Sequence, residues 1–273
     1  FWTIVSQDNF KKNFVLMSKL IHKKVIVTGG AKRIGRKIAI DLGKIGWEVA
    51  IHYNKSNKDA AEVVEKIEKG GGRAVAIHAK LDKKEGIKNL FEAATSSLGP
   101  INCLINNASV FEHDTLETVT TKSWDKHIDT NLKAPVFLIK EFAKSLPNNL
   151  SGNVINLVDQ RVWNLTPYFL SYTMSKTGLW ALTQSLALAL APDIRVNAIG
   201  PGPTLPSPRQ TITQFAQQCA ATPLSRGTTT QEISNAVQFI LSNQSLTGQM
   251  IVLDGGQHLG WAQPKSNQAM PEE

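Results

Sequence analysis

The chain has 273 residues, 42% of them hydrophobic, enough for one large α/β domain or two small ones with a full core. No apolar run approaches bilayer length, so no helical membrane span is expected, and Cys103 and Cys219 stand far apart without metal-ligand spacing. The expectation is a protein of a reducing cytoplasm, without a metal site or a membrane partner. The formal charge is +8, and through Lys58 twelve Lys or Arg stand against three acids. With no aromatic-interleaved basic patch, a nucleic-acid partner is not expected; a Lys-rich solvated surface or an anionic cofactor accounts for the charge.

The first twenty residues are read as an extension outside the fold. From Lys23, "KKVIVTGG" is a strand ending in glycines, and "IGRKIAIDLGKIG" follows at helical spacing with a Gly stop. "WEVAIHYN" and "KDAAEVVEKIEKGGG" form the second strand and helix, then "RAVAIHAKL" and "KEGIKNLFEAATSSLG" repeat the unit. "INCLINNAS" is a fourth buried strand, followed by one helix around residues 122–145, the strand "GNVINLV" and a helix over about 169–191. "IRVNAIG", a Pro-rich segment, the helix "QEISNAVQFILS" and the strand "QMIVLDGG" complete the series. Such alternation predicts βαβ crossovers and a single doubly wound parallel-sheet (Rossmann) domain over residues 21–261, with a tail over 262–273.

"VTGGAKRIG" sits at the turn between the first strand and first helix, where backbone without Cβ atoms approaches a pyrophosphate at a helix N-terminus. Gly29, Lys32, Arg33, Ile34 and Gly35 are its candidate contacts. A free ribose 2′-hydroxyl would call for an acid at the end of the second strand. Here the residues are His52, Tyr53, Asn54, Lys55 and Ser56, and Lys55 with Ser56 offers a cation and a hydroxyl suited to a 2′-phosphate. The predicted cofactor is NADP(H), read by His52, Asn54, Lys55 and Ser56.

Tyr172 and Lys176 are four residues apart and share a helix face. A free phenol titrates near pKa ~10, and a neighbouring ammonium favours its phenolate, which suits proton transfer nearer neutral pH. A surface helix pair would have the same spacing; the position after the fifth strand, facing the cofactor crevice, favours chemistry.

The glycine-rich turn, "NNAS" at 106–109, Asn131, Tyr172 with Lys176, "GPGP" at 200–203 and the closing "TGQMIVLDGG" together resemble the short-chain dehydrogenase/reductase family over about residues 23–261. The resemblance implies hydride transfer at the nicotinamide C4 with Tyr172 as proton donor, Lys176 on the nicotinamide ribose, and Asn131 holding a relay water. Asn107, Ala108, Ser109, Pro201 and Gly202 would border the cofactor. It also implies a homotetramer, with the helices after the fourth and fifth strands packed across a two-fold axis.

Two departures from the family pattern are informative: Arg33 replaces the middle glycine of the turn, and Asp159 replaces the serine thirteen residues before the Tyr. Both are similar to pteridine reductases, as are "HYNKS" and the Phe111 of "NNASVF", where those enzymes stack a pterin against the nicotinamide. A carboxyl group suits the amino-pyrimidine edge of a pterin, and its accessible neutral form can help supply a proton to ring nitrogen. Arg33, Phe111, Asp159 and Tyr172 are thus the expected substrate residues, although Phe111 taken alone is as well explained as a core aromatic. Lys80 stands where the family commonly has an adenine-reading Asp; a backbone contact from Leu81 remains, and Asp82 is out of register.

The segment 200–227 is expected to form a lid, with "TITQFAQQCA" as a short amphipathic helix. Arg161, Trp163 and Tyr168 either line the pocket or pack a subunit interface. The expected function is NADPH-dependent reduction of a pterin; the alternatives are reduction of another carbonyl or imine such as a 3-oxoacyl thioester, and a non-catalytic NADP-binding regulator.

Overall fold

Strand and helix alternate through the 22–260 region, which the computed structural model describes; the extensions expected at 1–20 and 262–273 lie outside these residues. The seven strands are β1 (Lys24–Val27), β2 (Glu48–Tyr53), β3 (Arg73–His78), β4 (Cys103–Asn106), β5 (Gly152–Leu157), β6 (Ile194–Pro201) and β7 (Met250–Leu253). All pair in parallel, in the order β3-β2-β1-β4-β5-β6-β7. Their near-continuous apolar runs follow from burial on both faces.

The helices are α1 (Arg33–Lys44), α2 (Asn57–Lys69), α3 (Lys84–Leu98), α4 (Thr121–Ile128), α5 (Ala134–Ser145), α6 (Leu170–Ala189), α7 (Ile212–Ala220) and α8 (Thr230–Ser242). Two apolar layers result. Ile38 and Leu42 of α1, Val63 of α2 and Val237 of α8 pack with Val25 and Val49 on one face. Leu90 of α3, Leu138 and Phe142 of α5 and Ala187 of α6 pack with Ile26 and Leu104 on the other.

The chain reverses its winding between β1 and β4, which opens a crevice at the strands' carboxyl ends. The helix expected over 122–145 is divided: residues 129–133 form a π-helical turn between α4 and α5, with Pro135 in the first turn of α5. The wider turn carries Asn131 at its centre, fully buried. The amphipathic lid helix is present as α7, and Thr211 and Gln214 close its N-terminus with a reciprocal capping box.

Candidate active site

Gly29, with φ of +62°, and Gly35 shape the turn after β1. A Cβ on Gly35 would lie 2.4 Å from the Gly29 carbonyl oxygen, so only glycine allows this close approach of turn and helix. Asn107 donates from Nδ2 to the Thr28 carbonyl at 2.8 Å, and the Thr28 hydroxyl accepts from the amides of Asn107 and Ala108. The open turn at a helix N-terminus, with Ile34 and Asn107 on the cleft wall, fits a dinucleotide pyrophosphate. Lys32 pairs with Asp59 at 3.2 Å, joining the turn to the first turn of α2.

His52 lies beneath this turn. Its Nδ1 accepts from the Gly29 amide at 3.0 Å, and its Nε2 meets the Ala79 carbonyl at 3.1 Å, so both ring nitrogens serve backbone. Burial pushes its pKa down to about 4. His52 therefore braces the turn from below, while Asn54 and Lys55 are exposed beyond β2 and Ser56 leads into α2. Lys80 and Asp82 are exposed and Leu81 is buried between them.

Arg33 holds φ of +52° at the position the family gives to glycine. That left-handed backbone costs an L-residue roughly 1–2 kcal/mol. Its guanidinium donates to the carbonyls of Pro206 at 2.9 Å and Leu205 at 3.2 Å, connecting the phosphate turn to the lid. Arg33, one of the expected substrate residues, lines the cleft with its guanidinium held by lid backbone.

The proton-transfer residues converge. The Tyr172 hydroxyl donates to Asp159 Oδ2 at 2.8 Å, while Asp159 Oδ1 accepts from the Arg161 amide at 2.8 Å. Lys176 is 3% exposed, donates to the Leu157 carbonyl at 2.7 Å and lies 5.7 Å from the Tyr172 ring centre. Desolvation pulls the Lys176 ammonium down to about 8, against the Asp159 carboxylate, which raises it. The Asn131 amide donates to the Val110 carbonyl and Ser175 Oγ and accepts from the Val110 amide and Ser109 Oγ. All four side-chain positions are engaged with protein, so Asn131 fastens the loop after β4 to α6; a relay water would have to use its main chain.

Phe111 stacks on Phe169 with ring centres 4.6 Å apart and planes 7° apart, and meets Tyr172 edge-on at 4.7 Å. Arg209, on the lid, donates to the Phe111 carbonyl and holds its guanidinium 5.4 Å from the Phe111 ring. Arg161 lines the cleft, 4.9 Å from the Phe169 ring. Trp163 instead meets Trp180 and His258, away from this wall. The cleft, about 210 Å³, brings together Arg33, Phe111, Asp159, Tyr172, Lys176 and the lid, with Ser109, Pro201 and Gly202 also on its walls.

Sequence reasoning missed Phe169, Thr28 and Arg209. Thr28 was legible as the residue between the strand and the glycines. The others act through partners far along the chain, with no local signal.

The enoyl-(acyl carrier protein) reductase family model matches residues 29–258. The 3-oxoacyl-[acyl-carrier-protein] reductase FabG of Staphylococcus epidermidis is 32% identical over 244 residues, 88% of this chain and all of that protein. The crystal structure of FolM alternative dihydrofolate reductase 1 from Brucella canis, complexed with NADP, superposes with a TM-score of 0.87 at 44% identity, covering 92% of this chain and 99% of that one. Its counterpart from Brucella suis, also with NADP, gives 0.86 at 46% identity over 88% and 97%. With Tyr172 and Lys176 in one cleft and Asn131 bonded to Ser109 on its wall, the chain belongs to the short-chain dehydrogenase/reductase family and is an oxidoreductase.

Proposed function

We propose that this enzyme uses NADPH to reduce a pterin, a dihydropterin or dihydrofolate-like compound. The observation that carries the reading is the Asp159–Tyr172 hydrogen bond at 2.8 Å, which puts a carboxyl group beside the proton donor. The two FolM relatives, both with NADP bound, support it.

When bound, the cofactor supplies a hydride from its nicotinamide. The turn at Gly29–Gly35 would hold the pyrophosphate, and Lys55 with Ser56 the 2′-phosphate, where a carboxylate would be repelled. Tyr172 would give its proton to the substrate ring nitrogen beside the carbon being reduced. The buried Lys176 ammonium stabilises the phenolate left behind, because charge acts strongly where water is excluded. Asp159, beside the proton donor, would accept a hydrogen bond from the amino-pyrimidine edge. Phe111 offers an aromatic edge to a flat heterocycle.

The FabG relatives favour a second reading, reduction of a 3-oxoacyl thioester by the same Tyr172 and Lys176. A panel of 7,8-dihydrobiopterin, dihydromonapterin, dihydrofolate and acetoacetyl thioester, each with NADPH and NADH, separates the two. Turnover of a pterin with NADPH supports the first; turnover of the thioester alone overturns it. A cytoplasmic homotetramer completes the proposal; none of the helices among the described residues is long and apolar enough to cross a membrane.

A further inference from the structure

Helix α6 carries both Tyr172 and Lys176, yet it begins without a local cap. Its N-cap residue, Phe169, has φ of +58° and no side-chain hydrogen bond to the first turn. The first-turn amides of the helix are met from a distant loop. Asp114 is 2% exposed, and its carboxylate accepts from the Ser171 amide at 3.1 Å and from the Ser171 hydroxyl. Its main-chain carbonyl accepts from the Leu170 amide at 3.3 Å. A carboxylate at a helix N-terminus is favoured by both hydrogen bonding and the helix dipole.

His127 extends the connection. It is fully buried, its Nδ1 meets Ser171 Oγ at 2.8 Å and the Ser123 carbonyl at 2.9 Å, and its Nε2 accepts from the Glu112 amide at 3.1 Å. These contacts define the Nδ1–H tautomer, whose single proton is shared between the Ser123 carbonyl and Ser171 Oγ, while the Ser171 hydroxyl donates to Asp114. Ser123 Oγ donates to the same Asp114 oxygen at 3.3 Å. The loop so held begins with Phe111, which packs against both Phe169 and Tyr172.

We infer that Asp114 is a positioning residue for the reaction: capping α6 from the substrate loop, it holds Tyr172 and Phe111 as one rigid unit, with His127 and Ser171 completing the brace. The inference rests on Tyr172 as the proton donor and not on which substrate is reduced. A misplacement near 1 Å costs as much as about 100-fold in rate, so Asp114→Ala should lower kcat by about 10- to 100-fold per folded molecule. NADPH affinity, read by nucleotide fluorescence, should stay within about 2-fold, because the turn at Gly29–Gly35 is separate from the brace. Asp114→Asn keeps an acceptor for the Ser171 amide and should recover most of the lost kcat. Ser171→Ala, which keeps the amide contact but cuts the link to His127, should lower kcat by about 3- to 10-fold and provides the test if Asp114→Ala does not fold.

The assay uses 7,8-dihydrobiopterin, or acetoacetyl thioester if the wild type turns over only that, so failure of the pterin reading leaves this test intact. Loss of kcat at unchanged NADPH affinity, with recovery in Asp114→Asn, supports the positioning role. Full kcat per folded molecule in Asp114→Ala and Ser171→Ala, with only a lowered melting temperature, overturns it. A parallel loss of NADPH affinity also overturns it.

Discussion

Tyr172 and Asp159 stand thirteen residues apart in the chain and meet through a hydrogen bond of 2.8 Å, with Tyr172 donating. Tyr172 comes from the third position of α6 and Asp159 from just past β5, so the parallel strand end and the helix start bring acid and phenol together. Tyr172→Phe removes the proton donor alone and should lower turnover by about 10²- to 10⁴-fold, with NADPH binding retained. Steady-state kinetics beside a nucleotide titration checks both halves.

Asp159→Ser tests the substrate reading directly. If the carboxyl group reads the pterin edge, the variant should lose about 10- to 100-fold in kcat/KM for dihydropterin, the scale of one or two charge-assisted hydrogen bonds. Any turnover of acetoacetyl thioester should be kept or raised. Equal losses on both substrates would assign Asp159 a purely structural part.

Lys176 sets an alkaline limit. Burial lowers its pKa to about 8, so the ammonium is largely present at pH 7 and is lost as pH rises through about 8. Reductive turnover should fall across that range, since the charge that stabilises the phenolate disappears. A kcat profile from pH 6 to 10 checks this, and a profile flat to pH 10 would contradict it.

His52 predicts a pH dependence of stability. Its folded pKa is about 4 against the ordinary 6.5, so the unfolded chain binds more protons between those values. Stability therefore rises with pH through that window and falls on acidification, by about 3 kcal/mol over the full interval. Urea unfolding from pH 7 down to 4 should show this loss, and His52→Gln should flatten the slope over that window.

Arg33 joins the phosphate turn to the lid at a strained backbone position. Arg33→Gly relieves the left-handed φ and removes the guanidinium, so stability should stay within about 1 kcal/mol of wild type. KM for the substrate should rise, by about 5- to 150-fold if each of the two lost hydrogen bonds contributes about 0.5–1.5 kcal/mol. Urea unfolding and steady-state kinetics on one preparation separate the two effects.

Local periodicity and turn chemistry made the βαβ series, the glycine-rich turn and the Tyr172–Lys176 pair legible in the amino-acid sequence, because strand and helix alternation and i, i+4 spacing are short-range properties. The substitution of Asp159 for a hydroxyl residue was legible too, and it supplied the substrate clue. The tertiary structure alone decided that His52 supports the turn from beneath, that Arg33 reaches lid backbone 172 and 173 residues away, and that Asp114 caps a helix 57 residues downstream. It also decided that Phe111 rests on Phe169. A side chain's hydrogen-bond partner or stacking face depends on which segments the sheet order brings together, and no local pattern around His52, Arg33, Asp114 or Phe111 encodes that neighbour.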